Sequence, residues 1–99
     1  MQGPEREARL KKLRYRAWHR GFREADLIIG PFADRHVGAF SEAQLDAFER
    51  LLEAPDQDLY DWIVGRRPTP ETYESDVMEL LRGFRFSAHA ALNPEQRGG

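Results

Sequence analysis

The chain has 99 residues, no cysteine, and 15 Lys and Arg against 17 Asp and Glu, for a formal net charge of −2. This length fits one small domain with a single core and excludes a deep pocket enclosing a large cofactor. The lack of cysteine excludes disulfides, thiolate chemistry and Cys-ligated zinc, and no apolar run approaches the ~20 residues that span a bilayer.

The N-terminal stretch MQGPEREARLKKLRYR is basic. No hydrophobic segment follows it as in a secretory signal, and Glu5 and Glu7 do not suit a transit peptide. The sequence therefore predicts a cytoplasmic protein with no membrane partner. Charge is unevenly spread. Residues 6 to 23 carry Arg6, Arg9, Lys11, Lys12, Arg14, Arg16, Arg20 and Arg23 against Glu7, whereas residues 42 to 61 are acidic apart from Arg50. Two readings stand: a basic face for an anionic partner, or two solvated helix faces that attract each other.

From Glu5 to about His19, Leu10, Leu13 and Ala17 recur at helical spacing, with the charges on the other face. Gly21 suits the left-handed residue that ends this helix, because it carries no Cβ. Arg23, Glu24, Ala25 and Asp26 open a second helix whose acids favour its first turn. Leu27, Ile28 and Ile29 run on as core, and Gly30-Pro31 predicts a kink or break before helix resumes through FADRHV. Ser41 to Gln44 is a capping box for a third helix with the stripe Leu45, Phe48 and Leu52. Asp56 caps a fourth helix that buries Leu59, Trp62 and Ile63 and stops at Gly65. Thr69-Pro70-Glu71 predicts the start of the last helix, with Thr69 as N-cap and the stripe Tyr73, Val77, Leu80, Leu81 and Phe84.

The sum is an all-α protein, a small irregular antiparallel bundle of four to five short helices. Residues 1–87 form one domain with its core at about 10–84, and residues 88–99 read as a disordered tail.

No catalytic constellation emerges. His19, His36 and His89 lack metal-ligand spacing, and there is neither a phosphate-binding glycine loop nor a nucleophile motif. Glu24 and Asp26 are two apart and do not face each other on a helix. A helix-turn-helix reading fails on its recognition helix, READLIIGPFADRH, which offers Arg23 and then apolar and acidic groups. Nucleic acid is therefore not expected as a partner. What remains is a surface for a protein at the junction Arg20-Gly21-Glu24. Arg20 offers a planar fork for a carboxylate or carbonyl, and Gly21 allows close backbone approach. The plainer alternative is a C-cap glycine beside an i, i+4 ion pair between Arg20 and Glu24.

RGFRE, residues 20 to 24, matches the RGxxE signature, and the chain resembles the small succinate dehydrogenase assembly factors, the flavinator family. EADLIIGPFAD and SEAQLDAFERLLEAPDQDLYDWIVGRRP continue the likeness in order and spacing over about residues 10 to 84. The resemblance implies a helical bundle that binds the flavoprotein subunit of succinate dehydrogenase and promotes covalent attachment of FAD to it. The fumarate reductase flavoprotein is a further implied client. It also implies an assembly chaperone, not an enzyme, with FAD bound by the client and no cofactor of its own; a monomer is expected when free. Carried over by position, Arg20, Gly21, Phe22, Arg23, Glu24 and Asp26 are the client-binding residues. Pro31, Phe32, Asp58, Leu59 and Trp62 match as structural positions.

Overall fold

A computed structural model describes the backbone of residues 3–92 and the side chains of residues 3–84. Its five α-helices are α1 (Pro4–Trp18), α2 (Arg23–His36), α3 (Glu42–Leu52), α4 (Asp56–Val64) and α5 (Asp76–Leu92). Single 3-10 turns at Val37–Ala39 and Glu71–Tyr73 join α2 to α3 and precede α5. There is no strand among the described residues. The all-α bundle expected from the periodicity is thus the observed fold. The helix of α5 continues past Ser87 to Leu92, so the expected tail includes helical backbone; residues 93–99 lie outside the described residues.

Helix α1 starts one residue earlier than the periodicity suggests, because Pro4 occupies the first turn, where its missing N–H is not needed. Leu10, Leu13 and Ala17 are buried as expected. They face α2, which contributes Ala25, Ile29, Phe32 and Ala33 to the core. Of the apolar triplet, only Ile29 is fully buried, Ile28 is partly covered and Leu27 is 39% exposed. The helical period turns consecutive residues to different faces.

Of the kink or break expected at Gly30-Pro31, the break does not occur: α2 runs unbroken with Pro31 inside it. Gly30 has a packing role instead. A Cβ at this position would lie 2.3–2.7 Å from the Trp18 ring, and the Trp18 indole N–H donates to Asp34 Oδ2 at 3.1 Å. The two helices are thus locked across a glycine slot. Burial of Ile29, Phe32 and Ala33 around the proline offsets the one backbone bond it deletes.

Phe32 lies at the centre of the core, its ring 5.7 Å from that of Phe48, 6.1 Å from Phe40 and 5.6 Å from Phe84. Ser41 forms the expected capping box: its hydroxyl accepts from Gln44 N at 3.1 Å, and Gln44 Oε1 accepts from Ser41 N at 2.9 Å. Two other starts differ from expectation. Asp56 is the first residue of α4 and not its cap, which is Pro55. Helix α5 begins after Ser75, whose hydroxyl accepts from Met78 N at 3.1 Å. The Thr69 hydroxyl instead accepts from Arg82 Nη1 at 2.9 Å. Val77, Met78 and Leu81 are buried, whereas Leu80 is 41% exposed.

The charge asymmetry resolves largely within the molecule. Arg6 reaches Glu42 at 2.7 Å, and Arg9 reaches Glu42, Asp46 and Glu49 at 3.0, 2.7 and 2.9 Å. Arg16 adds a longer contact to Glu49 at 3.8 Å. The Asp46 hydrogen bond is the main cause that raises the Arg9 pKa further above its ordinary value. Arg6, Arg9 and Arg16 of α1 therefore lie against the acidic side of α3, which takes part of the basic face on which a nucleic-acid reading depends.

Candidate partner-binding site

Helix α1 ends at Trp18 and α2 begins at Arg23, leaving a four-residue turn that contains the start of RGxxE. Gly21 has φ +84°, a left-handed conformation in which other residues are strained. The turn is exposed at this point, and a Cβ on Gly21 would meet nothing within 4 Å. Conformation requires glycine here, while space in the protein itself does not.

Arg20 points the opposite way. Its side chain is only 6% exposed and its Nη2 lies 2.7 Å from Asp56 Oδ1. Nη1 donates to the Leu52 carbonyl at 2.8 Å and Nη2 to the Ala54 carbonyl at 2.7 Å. Its Nε is buried without a partner among the described residues. The expected Arg20–Glu24 pair is therefore not formed: the guanidinium is committed to the corner between α3 and α4. The planar fork does meet carbonyls and a carboxylate, as its chemistry suggests, but they belong to this chain.

Asp26 also faces inward to the turn, with Oδ1 accepting from the Arg20 backbone N–H at 3.1 Å. Phe22 is half-buried, its ring 4.9 Å from the ring of Tyr60 in α4 at an interplanar angle of 60°. The Arg66 guanidinium stands 5.8 Å from the centroid of the Tyr60 ring, a cation–π arrangement. Arg23 and Glu24 are exposed, and their side chains make no hydrogen bond or ion pair among the described residues. The six predicted residues thus divide: Gly21, Arg23 and Glu24 face outward, Phe22 packs on α4, and Arg20 and Asp26 hold the turn.

The C-terminal end of α4 is tied down beside Tyr60. Asp61 accepts from the Gln57 amide at 2.9 Å and pairs with Arg67 at 3.2 Å and Arg66 at 3.5 Å, while Arg67 also binds Asp58. The Gln57 hydrogen bond, followed by that of Arg67, holds the Asp61 carboxyl below its ordinary range. Gly65, at φ +83°, ends the helix as expected. Leu59 and Trp62 are buried, and Asp58 serves as a partner for Arg67. The sequence reading did not identify Tyr60, Asp56 or Arg66 as neighbours of the motif. The acceptors of Arg20 lie 32 to 36 residues downstream and include two backbone carbonyls, which leave no mark in residue types. Among the described residues, no group of three His, Asp or Glu side chains is placed to hold a metal ion.

Comparison with known proteins places this geometry in context. The model of a family described as flavinator of succinate dehydrogenase matches residues 11–85, which include the turn and all five helices in whole or part. The chain belongs to that family. A mitochondrial succinate dehydrogenase assembly factor 2 from Dictyostelium discoideum is 38% identical over 72 residues, covering 73% of this chain and 51% of the relative. Its counterpart in Danio rerio is 34% identical over 84 residues, covering 83% of this chain and 53% of the relative. A bacterial relative, the FAD assembly factor SdhE of Acetobacter pasteurianus, is 42% identical over 74 residues, covering 75% and 68%.

The chain thus spans about half the length of the first two of these relatives. They also correct the expected location. Relatives named as mitochondrial stand beside a bacterial one, so the cytoplasmic assignment drawn from the N-terminal composition does not hold. No helix among the described residues is long and apolar enough to cross a membrane.

Proposed function

We propose that this protein is an assembly chaperone that binds the flavoprotein subunit of succinate dehydrogenase and promotes covalent attachment of FAD to it. The reading rests on one observation above all: the family match over residues 11–85 takes in the exposed turn together with the α3–α4 corner that holds it. The relatives carry names of assembly factors, and this chain acts likewise as a non-enzymatic factor, monomeric when free. The flavin bond forms on the client, which binds the FAD. The fumarate reductase flavoprotein is a second client of the same chemistry.

In this mechanism the protein contributes orientation. Attachment requires the client's histidine to be aimed at the flavin, and pre-ordering of reacting groups lowers a barrier without any catalytic side chain. Gly21 lets the client approach the backbone, Glu24 accepts hydrogen bonds from it, and Arg23 and Phe22 flank the contact. The test is covalent flavin fluorescence in a denaturing gel, using a flavoprotein subunit co-expressed with or without this protein. A band that requires the protein supports the reading. Equal bands in both lanes sink it and favour a partner-binding bundle with some other client.

A further inference from the structure

We infer that Arg20 is a positioning residue for this site and not a contact for the partner. The inference rests on the proposed reading of the exposed turn and specifies how that surface is built. The Arg20 guanidinium joins three chain segments. Its own turn links α1 to α2, its two carbonyl acceptors are Leu52 at the end of α3 and Ala54 just beyond, and its carboxylate partner, Asp56, opens α4. The last carbonyls of a helix lack intrahelical donors and carry partial negative charge, so a cation there is favoured twice. Asp56, at the opposite kind of helix end, is favoured by the N-terminal dipole and by Arg20 together.

Arg20 is also held through its backbone, whose N–H donates to Asp26 Oδ1 at 3.1 Å. Between these two anchors the chain has little freedom. Gly21 takes up the left-handed conformation, Phe22 settles on Tyr60, and Arg23 and Glu24 emerge to solvent. The outward direction of Glu24 therefore depends on a residue that itself faces inward. Lysine would keep the charge, but a single ammonium does not reproduce a planar fork that addresses three acceptors.

The experiment compares the intact protein with Arg20→Lys, Asp56→Asn, the double variant and Glu24→Ala. The first readout needs no partner: backbone amide exchange followed by NMR. Arg20→Lys and Asp56→Asn are expected to speed exchange at Gly21 to Ala25 by about tenfold, leaving the amides of Leu13 and Leu81 unchanged. Glu24→Ala is expected to leave exchange at the turn as it is. The second readout is covalent flavin on the co-expressed flavoprotein as a function of the amount of this protein. Arg20→Lys and Asp56→Asn are expected to need more protein for the same yield, and the double variant no more than either single one, because both break one device.

Normal exchange at the turn in Arg20→Lys, with flavinylation lost there and intact in Asp56→Asn, would make Arg20 a direct contact and overturn the inference. Faster exchange throughout the protein, with the flavin yield unchanged, would make Arg20 a fold stabiliser only and overturn it as well. If Arg20→Lys does not fold, Asp56→Asn carries the same comparison from the more exposed partner. If the unaltered protein supports no flavinylation, the proposed function fails, while the exchange data still decide whether Arg20 places the turn.

Discussion

Arginines do different work in two regions of this protein. Along the seam between α1 and α3, Arg9 meets Glu42, Asp46 and Glu49, which are 39–71% exposed, so that water and salt compete for every contact. At the turn between α1 and α2, Arg20 is 6% exposed and spends its fork on two helix-end carbonyls and Asp56. The seam holds two helices together through many weak, replaceable pairs. The turn depends on few side chains, Arg20 foremost with Asp26 beside it, and just beyond it Arg23 and Glu24 are left without partners among the described residues. The comparison teaches that the densest run of charge is partly taken up inside the fold, while the surface proposed for the partner lies where Arg23 and Glu24 go unpaired beside a fixed turn.

The contrast is open to breaking by substitution. The largest effect is expected for Arg20→Ala, which strands Asp56 and two carbonyls. Denaturant titration should show a loss of about 3 kcal/mol, near the lower end for breaking a buried pair because Asp56 is partly exposed. Gly21→Leu comes next, with a loss of about 1–2 kcal/mol for a side chain held at positive φ. No clash adds to it, since the surrounding space is open. The variant should stay folded by circular dichroism, yet on the proposed reading its flavinylation should fall to the level without the protein, because the new side chain would block the approach of the client.

Arg9→Ala is expected to cost no more than about 1 kcal/mol despite its three partners. Its effect should shrink in molar salt, where screening acts over about 3 Å, while that of Arg20→Ala persists. Equal salt sensitivity in the two variants would erase the distinction between the regions.

A smaller effect appears on acidification. The Asp61 carboxyl is held below its ordinary value near 3.8 by Gln57 and then by Arg67. A depressed carboxyl contributes stability that is complete above the ordinary value and lost as pH falls through the folded one. Stability measured below pH ~4 should therefore decline less steeply in Asp61→Asn than in the unaltered protein.

How far the sequence could be read depended on how far apart the cause and its effect lie in the chain. The Ser41 capping box and the Gly65 terminus are complete within a few residues, and both are visible in the residue types. Thr69-Pro70-Glu71 carries an equally good local signal, but Arg82 takes the Thr69 hydroxyl, and the cap passes to Ser75. Gly30-Pro31 reads as a kink or break because the reason for Gly30 is the Trp18 ring, twelve positions earlier on another helix. The motif turn itself was legible, including the left-handed Gly21 and the exposed Glu24. The direction of Arg20 was not, since backbone carbonyls at Leu52 and Ala54 decide it.

The central claim is that the exposed turn is the surface that meets the client. Its most direct test is covalent flavin fluorescence of a co-expressed succinate dehydrogenase flavoprotein with the unaltered protein, with Glu24→Ala, and with Glu79→Ala as an exposed acid on α5. Both substitutions should leave stability within about 0.5 kcal/mol, as surface changes usually do. The account predicts that Glu24→Ala loses most of the fluorescence and Glu79→Ala keeps it. Full fluorescence with Glu24→Ala, or an equal loss in both, would contradict it.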